Sequence, residues 1–356
     1  MGFLNVEKKW LYPFIVCFAI CMLLLVSSFN MDLVSSIHSI NSLFFFLPSH
    51  LRPNQTEPGF VERKASPAPA PARPVLPRFA YLISGSKGDL EKLWRTLHAL
   101  YHPLNHYVVH WFINLSASDY PLVTQDDLLY TFSDLDRGLN FIEHTSRLGW
   151  KFDKRAMPLI VDPGLYMSTK SDVFWVNPKR PLPTAFKLFT GSAWTVLSHD
   201  FVEYIVWGWD NLPRTLLMYY TNFLSSPEGY FQTVACNAPE WAKTLVNSDL
   251  HYIAWDVPPK QHPHVLNIND TDKMVESGAA FARKFKQDDP ALDWIDKMIL
   301  RKRNGLFPLG GWCTGRPKCS EIGNIYKLKP GPGSQRLHRL VAGLTLKAKS
   351  GEDQCK

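Results

Sequence analysis

Hydrophobic and polar positions alternate differently along three stretches of the chain. Trp10 to Phe29 is apolar throughout, 20 residues without a charge, the length a helix needs to cross a bilayer. Residues 30–78 show no sustained period. They hold a short apolar patch, Ser42 to Pro48, and then a Pro-Ala alternation from Ser66 to Pro71, a composition that favours an extended, semi-rigid spacer. From Phe79 onward, short apolar runs alternate with segments of helical spacing, which predicts a mixed α/β domain over 79–356.

Within that domain FAYLIS (Phe79 to Ser84) reads as a strand ending at Gly85. Leu90, Leu93, Trp94, Leu97 and Leu100 recur at helical spacing, with Asp89 able to cap the start. NHYVVH (Asn105 to His110) reads as a second strand, and strand–helix–strand opens many nucleotide-binding α/β domains. WFINLSASDYP then reads as another strand directly abutting it. Two parallel strands need a crossover of a dozen or more residues, so either 105–115 is one long strand or a crossover segment is missing. Further on, the pattern predicts a helix over Gln125 to Ser133 capped by Thr124, strands at GLNFIEH and DVFWVNP, a turn at Thr190-Gly191-Ser192, and a helix begun by Ser198. It also predicts a helix opened by Pro227 and running through Val234, a strand at HYIAWD, a helix over Asp270 to Ser277, and another led into by Gly278 to Phe285. The last 50 residues, rich in Gly, Pro and Lys, are expected to wrap the surface.

Composition narrows the picture. Of 356 residues 46% are hydrophobic and 20% charged, which excludes a wholly disordered chain. The formal charge of +7 fits an anionic partner such as a nucleotide or acidic glycan without singling out nucleic acid. Cysteine and histidine spacings exclude a structural zinc module. Lys8 and Lys9 precede the apolar stretch, so the positive-inside rule keeps residues 1–9 cytoplasmic and makes 10–29 a signal-anchor, with no convincing cleavage site for a signal peptide. On the far side lie sequons at Asn54, Asn114 and Asn269. Asn54 and Asn269 are candidates for glycosylation, whereas Asn114 sits in an apolar run and reads as a chance match. Cys236, Cys313, Cys319 and Cys355 lie on the same side; four cysteines allow three pairings, and Cys313 with Cys319, close together in a Gly- and Pro-rich loop, is the pair the spacing favours.

LSASDYPLVTQDDL, LFTGSAWTVLS, SPEGYFQTV, HYIAWD and GAAFARKF stand in that order. Together they resemble glycosyltransferase family 14, the core-2/I-branching and xylosyltransferase family. NLPRTLLMYYTNFLSSPEGYF and GGWCTGRPKC are similar to its plant β-glucuronosyltransferase branch. The resemblance spans nearly all of 79–356. It implies a GT-A-like mixed sheet with flanking helices, held by the anchor and Pro-rich stem in the Golgi lumen as a type II membrane protein. It also implies an inverting, metal-independent transfer from a UDP-sugar, with UDP-GlcA as donor and the galactan of arabinogalactan proteins as acceptor.

The same resemblance assigns residues. Glu228 in SPEGYF matches the family's base, which removes the acceptor proton; otherwise it is an ordinary acid in a first helical turn. Asp119 in SASDYP matches a second catalytic carboxylate and is equally a turn aspartate. Glu143, Lys151, Lys154 and Trp255 match acceptor contacts. Lys284, with Arg283, matches the cation at the diphosphate, where a fixed positive charge can do the work of a metal. Ser84, Gly85 and Ser86 are candidates for the uridine pocket. Two Asp-x-Asp matches, Asp134/Asp136 and Asp270/Asp272, read as chance, leaving no metal site. Family members carry further strands and helices between the segments matching NHYVVH and WFINLS, whereas here His110 joins Trp111 directly. The resemblance therefore implies a shortened nucleotide-binding half, and with it an alternative role as a catalytically impaired lumenal partner.

Overall fold

The computed structural model describes residues 76–100, 109–163, 172–260, 262–302, 327–352 and 354–356. The expected span, the stem up to residue 75, Asn54, Cys313, Cys319 and most of NHYVVH lie outside them. Among the described residues no helix is long and apolar enough to cross a membrane.

In chain order the elements are β1 (Phe79–Ser84), α1 (Leu90–Leu100), β2 (Trp111–Ser116), β3 (Asp119–Pro121), α2 (Gln125–Ser133), β4 (Asn140–Ile142), β5 (Pro158–Val161), β6 (Phe174–Lys179) and β7 (Thr195–Ser198). Then come α3 (His199–Trp207), α4 (Leu212–Tyr220), α5 (Tyr230–Asn237), α6 (Pro239–Ala242), β8 (Leu245–Val246), β9 (His251–Ile253), α7 (Thr271–Glu276), β10 (Phe281–Arg283), α8 (Pro290–Trp294) and α9 (Pro332–Lys349). This is the mixed α/β architecture that the hydrophobic pattern predicts.

The main sheet has the order β1-β2-β7-β4-β8. β1 and β2 are parallel, in register from Phe79 opposite Trp111 to Ser84 opposite Ser116, so the loops after both strands leave from one end. A smaller sheet, β3-β10-β9, carries Asp119 opposite Arg283. The main core gathers Phe79, Trp111, Phe132, Phe141 and Val196. Trp111 stands edge-on to Phe132 at 5.0 Å and donates its Nε1–H to Leu139 O at 2.8 Å, so its one polar atom is satisfied. Each such ring contributes about 1.5–3 kcal/mol by leaving water.

Four expectations change. Val109 and His110, the described end of NHYVVH, are not in a strand; the strand begins at Trp111, and α1 itself is the crossover from β1. The stretch 278–285 does precede a helix, α8, but Phe281–Arg283 within it forms strand β10, held between β3 and β9. The predicted helix from Pro227 is broken: Ser226–Glu228 forms a 3-10 turn and α5 starts after Gly229. The C-terminal stretch contains the 18-residue α9 rather than only surface wrapping. Leu337 and Val341 of α9 are buried in the main core. Its start is fastened to α2: Asp126 accepts from Lys329 N–H at 2.9 Å and Asp127 from Gly331 N–H at 2.5 Å, while Asp127 also completes the Thr124 capping box.

Candidate active site

Glu228 is placed by backbone rather than by a long helix. Ser225 adopts a left-handed conformation, and the 3-10 turn closes with Glu228 N–H donating to Ser225 O at 2.9 Å. Glu228 O accepts from Gly191 N–H at 2.9 Å and from Thr190 Oγ1 at 2.9 Å. The Thr190-Gly191 turn is held in turn by the Thr145–Thr190 bridge. A Cβ at Gly191 would lie 1.7 Å from Glu143 O, so only glycine permits this approach.

The Glu228 carboxylate is partly buried and asymmetrically paired. Oε2 accepts from Lys151 Nζ at 2.8 Å and from Arg155 Nη1 at 2.5 Å. Lys151 Nζ also donates to Thr190 Oγ1 at 3.0 Å. Among the described residues nothing bonds Oε1. Burial alone would raise the carboxyl, but the hydrogen bonds and charges of Lys151 and Arg155 outweigh it, and Glu228 titrates below the ordinary glutamate range. Glu143, at the end of β4, moves the other way: desolvation, then the like charges of Asp249 and Glu228, push it up against the pull of Lys151.

Arg283 ends β10 with its guanidinium 4.1 Å over the Trp194 ring. Desolvation lowers its pKa, opposed by the charges of Asp119, Asp249 and Glu228. Asp119 is held in structural contacts, as the turn-aspartate reading expects. It is 1% exposed, accepts from Ser116 N–H at 2.6 Å and Ser116 Oγ at 2.9 Å, and lies 3.6 Å from Arg283 Nε. It closes the β2–β3 turn and balances a half-buried arginine.

Lys284 is half-buried beside Arg283. Ala117 N–H donates to Ser84 O at 2.7 Å and Phe285 N–H to Ser118 O at 2.9 Å, so the Ser84-Gly85-Ser86 turn and the Lys284 loop meet at one end of the main sheet. Beside them a polar pocket of about 400 Å³ opens between Lys92, Arg95, Ser118 and Lys286. Trp255 follows β9 and is 52% exposed. Lys154 is exposed and makes no ion pair among the described residues, while its neighbour Arg155 pairs with Glu228. The Asp-x-Asp acids are used in turns: Asp136 accepts from Gly138 N–H and Asp270 from Asn267 N–H. Asn114 spends its amide on Ala193 O and Thr195, in keeping with a chance sequon, while Asn269 is exposed. Cys236 and Cys355 form a disulfide.

Sequence reading missed Arg155, Asp249 and the tethering role of Thr190 and Gly191. A signal existed for the last two: a turn glycine flanked by a hydroxyl in LFTGSAW. None marked Arg155 over Lys154.

The geometry agrees with the comparisons. The family model described as Core-2/I-Branching enzyme matches residues 110–275. The chain is 47% identical to the Arabidopsis thaliana protein named beta-glucuronosyltransferase GlcAT14A, over 422 aligned positions covering 98% of this chain and 93% of that one. It is 46% identical to beta-glucuronosyltransferase GlcAT14B of the same organism, covering 99% and 96%. Xylosyltransferase 2 of Rattus norvegicus is 34% identical over 62% of this chain and 26% of its own length. The 422 aligned positions with GlcAT14A exceed the 356 residues present here, so that alignment opens gaps in this chain. A carboxylate steadied by a glycine turn and two cations, with sequence shared along almost the whole length of two relatives, identifies the chain as a glycosyltransferase of the core-2/I-branching enzyme family.

Proposed function

We propose that this chain is an inverting β-glucuronosyltransferase that moves glucuronate from UDP-GlcA to a hydroxyl of a galactan chain on arabinogalactan proteins. The names of the Arabidopsis relatives support the donor. The single observation that carries the chemistry is the one-sided pairing of Glu228, whose Oε2 holds both cations while no described residue bonds Oε1. In the reaction the acceptor hydroxyl gives its proton to Oε1 as its oxygen bonds the anomeric carbon from the face opposite UDP. The bond from that carbon to the phosphate oxygen breaks, and its electron pair leaves with UDP. Lys284 meets the growing negative charge, so the step needs no divalent metal. A carboxylate of lowered basicity suits a late proton transfer, when the hydroxyl has already been acidified by bond formation.

The mixed sheet with flanking helices fits a GT-A-like fold, and the uncharged stretch behind Lys8 and Lys9 supports a type II anchor in the Golgi membrane. The test is a donor panel read by mass spectrometry on β-1,6- and β-1,3-galactan, with Glu228→Gln as control. Transfer from UDP-GlcA that falls about 10²–10⁴-fold in the variant supports the reading; transfer that survives the variant, or that chelation abolishes, overturns it.

One observation favours a second reading, a lumenal partner without turnover. Among the described residues β1 ends the main sheet, Leu82 is 73% exposed, and an apolar groove of about 800 Å³ runs beside it between Tyr81, Phe112 and Leu217. A segment absent at the His110–Trp111 junction would account for that bare surface. The same panel separates the readings, because the partner shows no turnover even in the parent chain.

A further inference from the structure

Trp150 is a bulky aromatic that the fold leaves 63% exposed, although a tryptophan is ordinarily drawn inside by its apolar area. It does not hang free. Gly149 turns the chain with a positive φ of 53°, and the carbonyl of Trp150 accepts from Lys154 N–H at 3.2 Å. The Arg155 guanidinium lies 4.8 Å from the ring centre. Arg155 also binds Glu228 Oε2 at 2.5 Å, so the ring centre lies within about 9 Å of that oxygen once the C–N bond length is included. Lys151, the neighbour of Trp150, reaches the same oxygen.

An indole fixed through one cation and otherwise open, beside a carboxylate that awaits a hydroxyl, is built to receive something flat and partly apolar. Sugar rings offer such a face, where axial C–H bonds line one side while hydroxyls point outward. Arg155 covers part of the ring, yet Trp150 keeps most of its surface open to a ligand. Trp207 and Trp209, also strongly exposed, sit at the α3–α4 turn and share no hydrogen bond or cation contact with Glu228 or its two cations among the described residues.

We propose that Trp150 forms an acceptor subsite, stacking beneath the sugar next to the one that presents its hydroxyl to Glu228. The inference deepens the reading of this chain as a galactan-modifying transferase and rests on it for the identity of the oligosaccharide. It makes the chain a reader of oligomers rather than of single galactose units.

The test is isothermal titration of the full detergent-solubilised chain with β-1,6-galactobiose and with the corresponding hexamer, for the parent, Trp150→Ala and Trp150→Phe. The expected result is a hexamer dissociation constant raised five- to tenfold in Trp150→Ala and largely restored in Trp150→Phe, with the biose bound alike by parent and Trp150→Phe. Equal hexamer affinity in the parent and Trp150→Ala overturns the subsite, as does a parent that binds neither sugar. Loss in both variants, with biose binding lost too, also overturns it in favour of a structural role. If the hexamer binds through Trp150 but no glucuronate is transferred from UDP-GlcA, the transferase reading fails and the subsite stands; transfer with no dependence of binding on Trp150 leaves the opposite pair.

Discussion

Thr190 Oγ1 donates to Glu228 O at 2.9 Å and accepts from Lys151 Nζ at 3.0 Å, so one hydroxyl fixes the main chain of the base and the cation on its carboxylate. Both partners lose their register if the hydroxyl goes. Thr190→Val is expected to lower kcat about tenfold or more, since a misplaced reacting group is costly in rate, while lowering stability by about 1 kcal/mol. Thr190→Ser keeps both bonds and stays near the parent. Steady-state transfer assays beside thermal melts check the pair.

Glu228 acts only as the carboxylate. Its pKa in the folded protein is depressed by Lys151 and Arg155 against the opposing effect of burial, so activity is retained above that lowered value and lost as pH falls through it. Removing Arg155 takes away one of the depressing groups. Arg155→Gln therefore moves the acid limb of the kcat profile upward, toward or beyond the ordinary glutamate range near 4.3. Lys154→Gln leaves the limb in place. Profiles of kcat against pH for the three proteins decide this, and a limb that does not move in Arg155→Gln removes Arg155 from the control of the base.

Gly191→Ala places a methyl carbon 1.7 Å from Glu143 O, a backbone atom that cannot swing aside. The strain is expected to cost at least about 3 kcal/mol and to lower soluble yield and Tm together. A melt within a degree or two of the parent contradicts the tight approach of these two segments.

Asp119 separates a structural carboxylate from a catalytic one. Asp119→Ala strips the Ser116 turn of its acceptor and leaves Arg283 without its nearest charge in a buried place, a change expected to cost about 3–5 kcal/mol. Activity per folded molecule falls far less than in Glu228→Gln. Denaturant melts paired with active-site-normalised rates measure the contrast.

Much of the site was legible because its chemistry sits in short, ordered motifs. Glu228, Glu143 and Lys151 converge as the resemblance implies, and Ser84 to Ser86 meet the Lys284 loop at one sheet end. Arg155 was hidden by geometry. Phe152–Ala156 forms a π-type turn, whose wider spacing rotates each side chain away from the phase of an ordinary helix, so the neighbour of the expected lysine faces the base. The turn contacts of Asp119 fit the turn-aspartate reading, but its burial and its pairing opposite Arg283 depend on the sheet β3-β10-β9, which no local spacing announces. Strand β10 has only three residues, too few to show a period of two. Helix α9 did carry a readable spacing at Leu337, Leu340, Val341 and Leu344, masked by the Gly- and Pro-rich chain before it.

The Cys236–Cys355 bridge joins α5, the helix that follows Glu228, to the chain end, across a sequence separation of 119. Cys355 N–H in turn donates to His144 Nε2 at 3.0 Å, while His144 Nδ1 bonds Ile142 O at 2.7 Å. The bridge thus pins the segment carrying Glu143 to the helix behind the base. Recombinant production follows from this: a bacterial cytosol, whose glutathione and thioredoxin keep thiols reduced, would release the pin, whereas a periplasmic or yeast secretory host would preserve it.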